Sequence, residues 1–134
     1  MSEIKDDVEV TSFEHACQLR NYDPGKILPD VSLFPELHRE AVTSFAKLVI
    51  IAEATNEGHQ FNWNDDEEYK WFPWFDMEES KQNPSGFRFL VAYFDSTHSR
   101  TAGGSRLCFR TREAAQYVGK TFIDLYRDIM VIKK

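Results

Sequence analysis

Apolar positions keep a helical spacing through about residue 58, alternate like strands from Tyr69 to Phe109, and return to helical spacing after Thr111. Residues 1–10 show no periodicity and are expected to form a flexible arm. Thr11 and Glu14 stand at capping-box spacing before Phe13, Ala16, Cys17 and Leu19, which predicts a short helix ended by the Asp23-Pro24-Gly25 turn. A loop pinned by Pro29 follows. Pro35 and Glu36 suit the start of a second helix, where Pro needs no amide partner and Glu meets the positive dipole end. Leu37, Ala41, Phe45, Leu48 and Ala52 form its stripe, widened by Val42 and Val49. Ile50 and Ile51 make its last turns apolar almost all round, so this helix should be central. Asn56-Glu57-Gly58 stops it, with Gly58 as a left-handed cap.

Beyond an acidic loop, Asp65 to Glu68, Tyr69 to Asp76 reads as a strand. Pro73 interrupts it and, lacking an amide donor, assigns it to an edge or a bulge. A turn at Asn83-Pro84-Ser85-Gly86 leads to a second strand, Phe87 to Asp95, apolar on both sides. A third, short strand is expected over Ser105 to Phe109. Thr111 caps a final helix with the stripe Ala114, Val118, Phe122, Leu125 and Ile129. Gly119 in its middle costs about 1 kcal/mol relative to alanine, which close packing on the sheet would justify. The order α-α-β-β-β-α, without repeat or linker, defines a single α+β domain over residues 1–134. Its three-stranded antiparallel sheet should pack against the second and last helices.

Composition changes this picture in two places. Seven of the fifteen residues from Phe61 to Phe75 are aromatic, including all three tryptophans. Such side chains dominate cores and interfaces alike, and the segment is expected to staple the helical front half to the back half, with Trp71 and Trp74 largely buried. The net charge of −6 is unevenly spread: residues 1–85 carry 7 Lys/Arg against 18 Asp/Glu, residues 86–134 carry 9 against 4. This split suggests an electrostatic fit between the halves, or a basic face for an anionic partner. Apolar runs such as Leu48 to Ala52 fall far short of the roughly 20 residues that cross a bilayer. The polar, acidic start has no apolar core for a signal peptide, so a cytoplasmic protein without membrane contact is expected. Cys17 and Cys108 are then buried free thiols.

Few residues invite chemistry. His15, His38, His59 and His98 lack the spacing of a zinc site. Asp65 to Glu68 lacks the pattern of a calcium loop. Gly103-Gly104-Ser105-Arg106 precedes a strand instead of opening a helix, which excludes a phosphate loop. Cys108 has no base-and-orienter pattern around it. An enzyme would need a pocket gathering His98, Arg106 and the Asp65 to Glu68 carboxylates. No catalytic, cofactor-binding or metal-ligating residue is assigned, and no cofactor is expected. The arginines carry more weight. Arg88, Arg100, Arg106, Arg110 and Arg112 surround the predicted strands, and arginines beside aromatics suit phosphate contact with base stacking. Alternatively, Arg106, Arg110 and Arg112 pair with the Asp65 to Glu68 loop or with Asp76, Glu78 and Glu79.

Four segments carry a resemblance: Lys47 to Gly58, Tyr69-Lys70-Trp71-Phe72-Pro73-Trp74-Phe75, Gly104 to Phe109, and Arg112 to Phe122. Together, from about residue 35 onward, they resemble an uncharacterised family of small proteins encoded by Bacteroidetes genomes and their phages and prophages. The resemblance implies a phage or mobile-element setting and carries over no catalytic residue. Three strands and a helix, with Phe109-Arg110-Thr111-Arg112-Glu113-Ala114-Ala115 at the junction, are also similar to DNA-binding domains of plant ethylene-response factors and to the arm-binding domains of tyrosine integrases. Groove readout needs a free polar sheet face, whereas the expected sheet is covered on both sides. The sequence therefore leads to a small non-enzymatic, phage-related accessory protein with a protein partner. Nucleic-acid binding through the five arginines is the alternative.

Overall fold

A computed structural model describes residues 8–78, 86–95, 101 and 103–132. The chain is α+β: helices α1 (Phe13–Arg20) and α2 (Glu36–Thr55), strands β1 (Lys70–Asp76) and β2 (Arg88–Asp95), then helices α3 (Arg112–Thr121) and α4 (Ile123–Met130). The expected arm is docked from Val8 onward. Val10 is fully buried, and the Tyr117 hydroxyl donates to its carbonyl at 3.0 Å. Capping of α1 is shifted by one residue. Ser12, not Thr11, accepts the His15 amide, and the His15 ring accepts the Thr11 amide at 3.0 Å, the part expected of Glu14. Asn21, left-handed at φ 61°, ends the helix before the Asp23 turn begins. Pro35 lies just outside α2 as its cap, and Arg39 reaches back to the Ser32 and Phe34 carbonyls at 2.9 and 2.7 Å. At the other end Gly58 is left-handed as expected, preceded by a left-handed Glu57.

The buried side of α2 is rotated from the expected stripe. Leu37 and Phe45 are exposed, while Ser44, Leu48, Ile51, Ala52 and Thr55 are interior. Burial of Ser44 is satisfied by its hydrogen bond to Asp128 on α4 at 2.7 Å. The helix packs on α1 and α4, and the sheet packs on α3. The last helical stretch is two helices, broken at Phe122 (φ −111°, ψ 31°). The bend lets α3 lie on the sheet while α4 lies on α2. Gly119 has the role foreseen for it. A β-carbon there would come within 2.6 Å of the Pro73 Cβ and 3.0 Å of the Phe89 ring.

β1 and β2 form an antiparallel two-stranded sheet, not the expected three-stranded one. Only Phe109 of the third segment joins it, exchanging two backbone hydrogen bonds with Trp71 at 2.9 and 3.0 Å. Pro73 stops the pairing there. The next hydrogen-bonded pair along the ladder would require an amide from Pro73, which has none. On the opposite edge of Phe109, facing away from β1, the Cys108 carbonyl and the Arg110 amide are taken by the side chain of Asn56 at 2.8 and 3.2 Å. The core gathers Val10, Phe13, Leu48, Ile51, Phe87, Phe109, Val118 and Tyr126 among others. Both cysteines are buried free thiols, and burial is the main cause that raises the Cys17 pKa. Among the described residues no helix is long and apolar enough to cross a membrane. The expected turn over residues 79–85 lies outside the described residues, as does His98.

Candidate functional site

Residues directly opposed in an antiparallel pair share a face. Trp71 opposes Phe94 and Pro73 opposes Ala92 on the face covered by α3; Phe72 opposes Tyr93 and Trp74 opposes Val91 on the other. A register shift between Trp74 and Phe75 leaves Leu90 as an extra residue on β2. No named helix packs on this second face. Trp74 is 55% exposed, Tyr93 56% and Leu90 52%. Trp74 and Tyr93 meet edge to face, with ring centres 6.3 Å apart. The expectation that both Trp71 and Trp74 are largely buried therefore fails. Trp71 is half-buried against Phe94 at 4.9 Å, and Trp74 faces solvent. Phe75 points inward, 4.7 Å from Phe87 and 4.8 Å from Tyr126, contacts that lie within the back half.

The apolar surface continues over the edge of β1. Beyond the Trp71–Phe109 bridge, β1 has no further partner strand among the described residues. A groove of about 320 Å³ runs there, lined by Phe72, Trp74, Phe75, Leu107, Tyr126 and Met130. A sheet edge beside an apolar groove can accept an extended chain, with main-chain hydrogen bonds for affinity and pockets for alternate side chains.

Among the described residues, the arginines named from the sequence do not gather on this surface. Arg88 is spent on Asp76, donating from Nε at 3.2 Å and Nη2 at 2.9 Å. The Glu78 backbone amide and then Arg88 hold the Asp76 carboxyl below its ordinary pKa. Arg110 turns toward the end of α2, with Nη2 at 3.5 Å from the Thr55 carbonyl. Arg112 is exposed at the start of α3, and Arg106 is exposed on the turn before Leu107. Arg100 lies outside the described residues.

Among the described residues the acidic loop is held by His59 and Lys70. Glu68 accepts from the Asn62 amide at 2.6 Å, lies 2.9 Å from His59 Nε2, and lies 3.5 Å from the Nζ of Lys70. Lys70, only 2% exposed, also donates to the carbonyls of Asn62 and Asp65 and sits 5.2 Å from the Trp63 ring centre. The sequence carries no sign of this buried lysine beyond its place at the start of a strand. Among the described residues no group of three or more His, Cys, Asp or Glu side chains is placed to hold a metal ion. Comparison with protein-family models, curated proteins and solved structures finds no match to this chain.

Proposed function

We propose that this protein is a non-enzymatic binding module that seats a protein partner on the sheet face that carries Trp74 and Tyr93 and on the adjoining edge of β1. One observation carries the reading: Trp74, Leu90 and Tyr93, each more than half exposed, stand on one sheet face beside an apolar groove. Monomeric proteins rarely expose large contiguous apolar patches without an interaction to serve. Tryptophan and tyrosine are also the residues most enriched where binding energy concentrates. The sequence likeness to small proteins of Bacteroidetes phages and prophages supports a mobile-element setting for that partner.

Nucleic acid is the second reading, favoured by the same two rings, since exposed aromatics on a sheet form stacking platforms. Against it, Arg88 is engaged with Asp76 and Arg110 turns toward α2. The test places a photo-crosslinking amino acid at position 93, or at exposed Gln18 on α1 as a control, in a Bacteroidetes host lysate. The expected result is a discrete crosslinked protein from position 93 alone, lost when Trp74→Ala is added. Equal crosslinking from both positions, or none from 93, refutes the reading. Retention of single-stranded DNA or RNA that weakens with salt and with Trp74→Ala would put nucleic acid in the partner's place.

A further inference from the structure

A second surface, on α2 and away from the sheet, has a different chemistry. Two cavities lie side by side and share Val49 and Arg106 in their walls. One, about 350 Å³, is an apolar groove between the loop after α1 and the middle of α2, lined by Ile27, Leu28, Pro29, Val42, Phe45 and Ile50. The other, about 510 Å³, is a polar cleft at the C-terminal end of α2, bordered by Arg20, Glu53, Asn56, His59 and Ser105.

Within the cleft almost every strong hydrogen-bonding group is committed. Arg20 Nε donates to Glu53 at 2.7 Å, and the Tyr22 hydroxyl donates to the same carboxylate at 3.0 Å. The Asn56 amide is used at both ends by Cys108 and Arg110, and His59 contacts Glu68. The Ser105 hydroxyl accepts from the Trp63 indole at 2.6 Å, which helps fix the turn that carries Arg106. Arg106 is the exception among the charged groups. It is exposed, and no hydrogen-bond or ion-pair partner meets it among the described residues.

We infer that these joined cavities form a binding site for a small amphipathic anion. The acyl or alkyl tail lies in the apolar groove, and the oxyanion head is held by the Arg106 guanidinium at the boundary. Charge complementarity selects the occupant. A guanidinium presents a planar fork that matches a carboxylate or phosphate through two parallel hydrogen bonds. The Glu53 carboxylate is already neutralised by Arg20, so an incoming anion meets an unopposed cation. A neutral apolar ligand would leave that cation unused, and a purely polar anion would leave the groove empty. The cavity sizes fall in the range of small-molecule sites, about 300–1,000 Å³.

The test is calorimetric titration of the full chain with decanoate, decyl phosphate and decanol, each below its aggregation concentration. One equivalent of decanoate or decyl phosphate should bind, and decanol should bind at least tenfold more weakly. The tighter of the two anions identifies the head group the site prefers. Arg106→Ala should weaken anion binding at least tenfold and leave decanol unchanged, with Arg106→Lys recovering part of the loss. Phe45→Asp should weaken both anions, while Arg112→Ala, remote from either cavity, should change nothing. Arg106 and Phe45 are exposed, so these variants are expected to fold. Absence of binding by both anions, or equal anion binding by wild type and Arg106→Ala, overturns the inference.

Discussion

Gly119 and Tyr126 are the two residues at which packing and local preference disagree most plainly. On helix propensity alone, Gly119→Ala would add about 1 kcal/mol of stability. The new methyl would stand 2.6 Å from the Pro73 Cβ, a ring atom on the strand that α3 covers, and cannot be accommodated by a rotamer change. Overpacking of this kind costs about 1–3 kcal/mol, so the variant should be net destabilised, read as a lower denaturation midpoint. Tyr126 presents the reverse case. Its ring packs against Phe75, yet its buried hydroxyl meets no hydrogen-bond partner among the described residues. Burial alone drives its pKa well above the ordinary value of about 10. The folded state thus keeps the proton that the unfolded chain releases first. Stability is fully present below about pH 10 and falls as pH rises beyond it. Tyr126→Phe removes a hydroxyl with no acceptor to lose. It should leave neutral-pH stability equal or higher, by up to about 1 kcal/mol, and flatten the alkaline decline in urea titrations. Clear destabilisation at pH 7 would mean that the hydroxyl is bonded after all.

Among elements, the segment before α3 is settled by residues far from it in sequence. The alternation of Ser105 to Phe109 reads as a strand, but Pro73 cannot donate to it, and on the edge away from β1 the Asn56 side chain takes the place of a neighbouring strand. Asn56→Ala would strand the buried Cys108 carbonyl and loosen the Arg110 amide. At about 1–3 kcal/mol for each orphaned group, a loss of about 2 kcal/mol or more is expected, with faster hydrogen exchange at Phe109 and Arg110. Unchanged exchange would show the Trp71–Phe109 bridge to be self-sufficient. The sequence marks Asn56 only as a helix stop, because a side chain standing in for a strand leaves no periodic trace. Local signals served better: Thr111 caps α3 by accepting the Ala114 amide, Gly58 is left-handed, and Gly119 touches the sheet. The pattern was ambiguous where both faces of an element are apolar. Phe72 and Trp74 alternate with Trp71, Pro73 and Phe75, and nothing in that alternation says which set meets a helix. Likewise the α2 stripe misplaced Phe45 because Ser44, a polar residue, is buried by its bond to Asp128. Of the arginines proposed as contacts, Arg106 lines both cavities on α2 while Arg88 is paired with Asp76, since charge composition does not say which cations find partners inside the fold.

In the whole molecule, the two neighbouring tryptophans separate holding the fold together from meeting a partner. Trp71 lies on the α3 side, hydrogen-bonded through its backbone to Phe109, its ring packed on Phe94 and against the core. Trp71→Ala should cost toward the lower end of the about 3–5 kcal/mol seen for buried tryptophan, because its ring is only half-buried. Trp74, three residues along the same strand, projects from the uncovered face. Exposed positions away from caps and networks usually change stability by no more than about 0.5 kcal/mol, so Trp74→Ala should melt like the wild type while abolishing crosslinking from position 93. The two effects must come apart for the sheet to act as a docking platform supported from behind by α3. If Trp74→Ala lowers the melting temperature as far as Trp71→Ala does, its indole belongs to the core in solution, and the open sheet face that would receive a partner does not exist.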